Sequence, residues 1–198
     1  KKLWNFLSIF TKQPTVTITL LVTALLFGAG WKVSQGLKIG DLHAGVPELR
    51  PDSRYNQDTR FIVDKYSIGV DILNVIVQVK KDGCIDHRIM KTIDDFQWYV
   101  SNNPNVQSAV SLPYVAKIIG AGWNEGHPKW RNLSRNQQNL VQAISSVETS
   151  TGLLNAECSL MPVMIFSRDH KAESINSIIG TIDEFVQQNP HDDIKFRL

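Results

Sequence analysis

The sequence has 198 residues, of which 42% are hydrophobic and 20% are charged, with a formal net charge of +2. The charges are mixed in sign, and no basic run is dense enough to indicate nucleic-acid binding. After an apolar stretch near the N-terminus, about 165 residues remain, which is enough for one domain with its own core.

The apolar stretch from Gln13 to Trp31 contains no charged side chain and lies between Lys12 and Lys32. Its length is close to that needed to span a hydrocarbon core. Its threonines can hydrogen bond back to their own helix, and Trp31 is a residue that favours the membrane interface. We interpret residues 1–34 as an interfacial segment and a transmembrane helix. A cleaved signal peptide with its exit at residues 28–30 and a buried core helix are the alternatives.

Residues 3–10 are amphipathic and aromatic. They either lie in the plane of the interface or simply lead into the span, and both interpretations stay open. Because Lys1, Lys2 and Lys12 precede the span, the positive-inside rule predicts a cytoplasmic start and an outer location for the rest. Position 1 is not Met, so we expect the sequence to be a piece of a longer protein.

Residues 35–66 form a predicted connector rich in Gly, Pro, Arg and Asp. Pro47 and Pro51 predict turns in it. Asn56 or Asp58 is expected to cap a short helix that follows, and this helix would reach Tyr66.

Residues 67–198 repeat one order of elements twice. Alternation of β-branched residues predicts strands, apolar residues at helical spacing predict helices, and each helix ends at an Asn-Pro pair. The first set is strand Asp71–Lys80, helix Asp86–Asn102 and strand Val106–Leu112. The second set is strand Leu160–Ser167, helix Lys171–Gln188 and strand Ile194–Leu198.

The two predicted helices share a short signature, residues 93–96 in one and residues 182–185 in the other. Chance similarity of amphipathic helices is the plainer interpretation, and the matched order of elements favours a duplicated βαβ unit. Two such units predict an α+β fold of the ferredoxin-like, split βαβ type, with right-handed crossovers.

Cys84 and Cys158 are the two cysteines of the chain. In the predicted interleaving, the first and third strands are antiparallel neighbours, so the end of one lies beside the start of the other. Cys84 and Cys158 occupy those two places, which predicts a disulfide between them. An outer location favours the oxidised pair, whereas a cytoplasmic location would favour free thiols.

A helical insertion is predicted between the two halves, at about residues 113–157. Helices are expected at Tyr114–Ile119 and Arg135–Ser146, around a loop with two tryptophans. The candidate substrate or partner contacts in this loop are Trp123, Trp130, Asn124, Glu125 and Lys129. The alternative is that both indole rings cover the sheet edge and only complete the core.

A search for catalytic chemistry finds no recognised motif. The five histidines have no metal-ligand spacing, and neither a nucleophile elbow nor a Ser-x-x-Lys pair is present. The paired carboxylates at residues 94–95 and 192–193 are interpreted as a solvated helix edge and a turn. We therefore expect no enzyme activity, no metal and no cofactor.

Several runs carry a resemblance to a known family. Residues 40–56 resemble the connector after a transmembrane helix in predicted exporters of the resistance-nodulation-division (RND) superfamily, most closely the connector of the second half. The runs at residues 124–126 with 129–130, 135–137, 158–163 and 169–172 also resemble that family. The resemblance extends over most of the chain.

The resemblance implies a bacterial inner-membrane exporter, driven by proton flow, that moves lipids or other hydrophobic compounds through periplasmic βαβ porter domains. Its relay carboxylates would lie in membrane helices outside this sequence. The expected partners are the remainder of the same polypeptide, a hydrophobic substrate and a possible homo-oligomer. The alternative function is a single-span periplasmic sensor or scaffold.

Overall fold

The computed structural model describes residues 15–36, 49–50, 52–67 and 69–198. The chain divides into two units, residues 1–40 and residues 41–198. The amphipathic segment predicted at residues 3–10 and the turns predicted at Pro47 and Pro51 lie outside the described residues.

The first unit contains helix α1, Thr15–Ser34, which has no buried side chain. Its 20 residues correspond to a length of about 30 Å, the thickness of a hydrocarbon core. By length and composition, α1 is a candidate membrane span. The hydroxyl of Thr19 donates to the carbonyl of Thr15 at 2.8 Å, so this threonine is satisfied within the helix as expected.

The second unit is a mixed α+β domain. Its helices are α2 (Arg54–Lys65), α3 (His87–Ser101), α4 (Leu112–Gly122), α5 (Gln137–Ile144) and α6 (Ala172–Gln188). Its strands are β1 (Asp71–Gln78), β2 (Val106–Val110), β3 (Leu160–Ser167) and β4 (Lys195–Arg197). Short 3₁₀ turns occur at Gly83–Ile85, Pro128–Trp130 and Thr149–Thr151.

The four strands form one antiparallel sheet in the order β2-β3-β1-β4. The expected pairing of the first and third strands is present: β1 and β3 are antiparallel from Asp71–Ser167 to Gln78–Leu160. The short β4 pairs with residues 76–78 of β1 on the other side. The sheet therefore brings the end of β1 next to the start of β3.

One face of this sheet is covered by α3 and α6, and the side chains between them form the core. Alternate residues of β1 and β3 are buried, as the predicted period of two requires. The fully buried side chains of the strands are Val75, Val77, Met161, Val163 and Ile165, and those of α3 include Ile89, Ile93, Phe96 and Val100.

The signature shared by the two helices marks the place where they pack together. Phe96 of α3 and Phe185 of α6 lie edge to face, with ring centroids 5.2 Å apart. Phe196 of β4 joins them, 4.8 Å from Phe96. Such aromatic contacts add to the free energy gained by burying apolar area. The phenylalanines of the two helical signatures thus meet in one cluster.

The predicted cap of α2 was wrong. Ser53 is the N-cap, and its side-chain oxygen accepts a hydrogen bond from the backbone N–H of Asn56 at 3.3 Å. Asn56 is buried inside the first turn instead, where its amide donates to the carbonyl of Arg50 at 3.0 Å. Ser53 is a stronger N-cap candidate because its extended backbone precedes the first helical residue.

The predicted disulfide is present. Cys84 is bonded to Cys158, with Cα atoms 5.4 Å apart and a sequence separation of 74. The turn requires glycine at the neighbouring position 83, because a Cβ atom there would lie 2.4 Å from the side chain of Val79. Its N–H also donates to the carbonyl of Cys158 at 3.1 Å. The bridge fastens the turn after β1 to the residues just before β3.

A tryptophan-lined cavity in the helical insertion

The insertion begins with a well-capped helix. Ser111, at the end of β2, is fully buried, and its hydroxyl accepts a hydrogen bond from the N–H of Tyr114. Pro113 occupies the first turn of α4, where its missing N–H costs no helical hydrogen bond. The sequence therefore starts a helix immediately after the strand, two residues earlier than predicted.

Polar contacts attach β2 and α4 to α3. The amide of Gln97 in α3 donates to the carbonyl of Ala109 at 2.8 Å, and the hydroxyl of Ser111 donates to the same amide's oxygen. Further along, the ammonium group of Lys117 lies 2.5 Å from the carboxylate of Asp94. The interpretation of Asp94 as part of a solvated edge was wrong, because α4 packs over it and supplies a cation.

A tight turn follows α4 and reverses the chain. The N–H of Gly126 donates to the carbonyl of Ala121 at 2.8 Å, and Gly126 has a φ of +73°, a conformation that glycine adopts without a Cβ clash. His127 then caps the 3₁₀ turn by accepting a hydrogen bond from the N–H of Lys129. The reversal brings Trp130 to the same cavity as Trp123.

This cavity lies between α4, the returning loop and α5, and has a volume of about 290 Å³. Its apolar wall consists of Trp123, Trp130, Leu133, Leu140, Ala116 and Ala143. Its polar wall consists of Asn124, Asn132, Asn139, Gln142 and Ser134, and Gly120 completes the lining. No charged side chain of the described residues lines it.

The two tryptophans are half exposed, at 51% for Trp123 and 53% for Trp130. Neither ring is buried in the core, and the described lining of the cavity contains no strand residue. Exposed indole rings at the mouth of a cavity are available to a ligand, and their apolar area favours binding of an apolar surface.

The amides of the cavity use their N–H groups within the protein. Asn124 donates to the carbonyl of Gly120 at 2.8 Å, and Asn132 donates to the carbonyl of Lys129 at 2.9 Å. Asn139 donates to the hydroxyl of Ser134 at 3.4 Å. Within the described chain, the amide oxygens of these three residues accept no hydrogen bond, so they remain available as acceptors.

The structure brings together three of the five candidate contacts. Trp123, Asn124 and Trp130 line the cavity, whereas Glu125 and Lys129 do not and are exposed on the loop. Glu125 adopts a positive φ of 59° in the turn. Sequence reasoning missed other residues that line the cavity, among them Asn132, Asn139 and Gln142, because isolated amides on a loop and a short helix carry no recognisable motif.

Charge is concentrated at a separate and more open groove, next to the disulfide. Lys80, Lys81, His87 and Arg135 line it together with Asp82 and Asp86. Within this groove, the Lys80 ammonium lies 2.9 Å from the carboxylate of Asp86. That hydrogen bond, together with one from the N–H of Arg88, holds the pKa of Asp86 below its ordinary value despite partial burial.

The residues described by the structure contain no group of three or more His, Cys, Asp or Glu side chains that could hold a metal ion. A comparison with known proteins finds no family model and no curated protein that matches the chain. Function therefore has to be argued from the cavity, the disulfide and the apolar helix.

Proposed function

We propose that the chain is part of a proton-driven, RND-type exporter of the inner membrane, and that residues 67–198 form its periplasmic porter domain. The observation that carries this proposal is the cavity with two half-exposed tryptophans and an uncharged lining. A cavity of this kind favours an apolar or amphipathic cargo over a charged one, because it offers indole area and no counter-ion.

The arrangement of the sheet supports a ferredoxin-like, split βαβ fold for this domain. Both β1 and β2 are antiparallel to β3, so β1 and β2 run parallel to each other and α3 connects them. By the same reasoning, β3 and β4 are parallel and α6 connects them. In this fold, α4, the loop and α5 form an insertion between the two halves of the sheet, and the cavity lies within this insertion.

The disulfide supports a periplasmic location. Disulfides persist in oxidising compartments and are rare where cellular thiols keep cysteines reduced. A candidate membrane span precedes the domain, and lysines precede the span. The positive-inside rule then assigns the start of the chain to the cytoplasm and the domain to the opposite side.

Transport by everted membrane vesicles that carry the complete natural polypeptide tests the proposal. The vesicles are energised with a proton gradient, and accumulation of the hydrophobic dye Nile red is followed by fluorescence. We expect replacement of both Trp123 and Trp130 by Ala to reduce accumulation several-fold, because the cargo loses its apolar contacts. Trp98→Ala, at a 70% exposed tryptophan outside the cavity, serves as the matched control.

Two results would count against the proposal. Dye accumulation that is independent of the proton gradient would exclude a proton-driven exporter and favour the anchored sensor or scaffold. If Nile red accumulates at the wild-type rate in the double variant and in Trp98→Ala, the cavity is not needed for transport. Circular dichroism of both variants checks that any loss of transport is not a loss of fold.

A further inference from the structure

The cavity combines aromatic and amide side chains without charge. Trp123 and Trp130 are half exposed, and four amide side chains share the lining with them. The oxygens of Asn124, Asn132 and Asn139 accept no hydrogen bond within the described chain, and the Gln142 side chain makes none there either. A ligand with a flat apolar face and hydrogen-bond donors would use both kinds of group.

We propose that the cavity binds an uncharged sugar ring, and that the cargo of this site is a neutral glycoside. This inference rests on the proposed function and names the chemical class of the cargo. A pyranose ring has a face of C–H bonds, whose partial positive charge suits the negative face of an indole ring. Its edge carries hydroxyl groups, which donate to amide oxygens.

The lining disfavours the two most common charged lipid headgroups. A phosphate would enter a cavity in which no cation lines the described wall, and its desolvation would be uncompensated. A trimethylammonium group is attracted to indole faces, but it has no N–H or O–H with which to satisfy the amide oxygens. Only a neutral, hydroxyl-rich group packs against the indole rings and also donates hydrogen bonds to the amide oxygens.

The volume of the cavity sets the size of the group. About 290 Å³ is at the lower end of the range for ligand pockets, so the cavity suits one or two sugar rings. A longer apolar tail would lie beyond the indole rings at the open side. The sugar is therefore either the headgroup of a lipid or a free saccharide, since both present the same ring to the cavity.

The test uses the whole chain in phosphatidylcholine nanodiscs, labelled with 5-fluorotryptophan for ¹⁹F NMR. Resonances of Trp98, Trp123 and Trp130 are assigned by single Trp→Phe substitutions. The probes are methyl β-glucoside, hexyl β-glucoside, hexyl phosphocholine and hexyl sulfate, so that three probes share one tail. We expect hexyl glucoside to shift the Trp123 and Trp130 resonances saturably and to leave the Trp98 resonance in place.

Hexyl phosphocholine and hexyl sulfate should need about tenfold higher concentrations, since each loses hydrogen bonds to the amide wall. Equal affinity of the three hexyl probes would show recognition of the tail. It would overturn the sugar inference while leaving the export of apolar cargo intact. The absence of any shift, or the tightest binding by hexyl phosphocholine, would also overturn it. A shift by methyl glucoside alone would support the inference and identify a free saccharide as the natural source.

Amide variants give an independent test of the same site. Gln142→Ala and Asn132→Ala should weaken hexyl glucoside binding several-fold and leave the affinity for hexyl sulfate unchanged. Gln138→Ala is the matched control, because Gln138 lies on the same helix as Gln142 but outside the cavity. Equal losses for both probes, or a loss in the control, would contradict hydrogen bonding of the sugar by the amide wall.

Discussion

Asp86 stabilises the start of α3 in two ways. Its carboxylate accepts a hydrogen bond from the N–H of Arg88 at 3.0 Å, which satisfies one of the free donors of the first turn. It also pairs with the ammonium of Lys80 at 2.9 Å. The ion pair requires the ionised form and the cap hydrogen bond is strengthened by it, and the Lys80 interaction is the larger cause of the lowered pKa.

This lowered pKa predicts the pH dependence of stability. The stabilisation from Asp86 is complete above the ordinary carboxyl pKa of 3.8 and is lost as the pH falls through the lower folded-state pKa. Asp86→Asn keeps an N-cap acceptor but cannot ionise. We therefore expect the variant to melt below wild type at pH 7, and the difference to shrink as the pH falls from about 4 to 2. Thermal unfolding followed by circular dichroism measures both.

The matched control is Asp82→Asn, on the same turn, because Asp82 makes no capping hydrogen bond there. It should melt like wild type at pH 7. The hydrogen bond from Arg88 also lowers the carboxyl pKa of Asp193. Every variant should therefore still lose some stability at acid pH. A difference between Asp86→Asn and wild type that stays constant from pH 7 to pH 2 would contradict the assignment.

At the level of elements, the insertion is held at both ends. Where it leaves the sheet, the buried side chains of Gln97 and Ser111 join α3, β2 and the N-terminus of α4. Where it returns, Cys158 is bonded to the turn after β1. The cavity therefore lies in a segment that is attached to the rest of the domain at both ends. These attachments fix the position of α4, which forms one side of the cavity.

Removal of the Gln97 amide tests this arrangement. Gln97→Ala leaves the carbonyl of Ala109 and the hydroxyl of Ser111 without their buried partner, and such losses cost about 1–3 kcal/mol. We expect the melting temperature to fall by several degrees. Weaker ligand binding at the cavity should accompany this fall, because α4 loses its attachment. The control is Gln188→Ala, at an exposed helix end, and an equal fall in both variants would argue against the network.

The sequence predicts the strands and helices better than it predicts the contacts between them. Strand β3 has the predicted bounds, and α3 begins one residue after the predicted start, because periodicity and the Asn-Pro stops are local signals. The predicted cap of α2 and the predicted solvated position of Asp94 were wrong, since the first depends on a competing cap and the second on Lys117, 23 residues away in another helix. The cavity itself could not be predicted in full, because its polar wall depends on how α5 packs against α4.

For the whole molecule, the disulfide is the main covalent constraint. Cys84 and Cys158 lie 74 positions apart, so the bridge restricts a long loop in the unfolded chain. Replacement of both cysteines by Ala should reduce the free energy of unfolding by about 2–5 kcal/mol. The melting temperature of the oxidised wild type and of the double variant, each with and without dithiothreitol, measures the loss.

Dithiothreitol should lower the melting temperature of the wild type toward that of the double variant and should leave the double variant unchanged. Insensitivity of the wild type to the reductant, with complete reduction confirmed by thiol labelling, would show that the bridge contributes nothing to stability. The Trp98→Ala variant should respond to dithiothreitol like wild type, since the Trp98 side chain is exposed.

The position of the bridge in the chain has a consequence for biogenesis. If the domain is exported as proposed, Cys84 emerges first, because Cys158 follows the whole insertion, and it waits as a free thiol for about 74 residues. The described residues contain no other cysteine with which it could form a wrong intrachain pair. Among the described residues, oxidation therefore has a single intrachain product, and a competing error is a crosslink between two nascent copies.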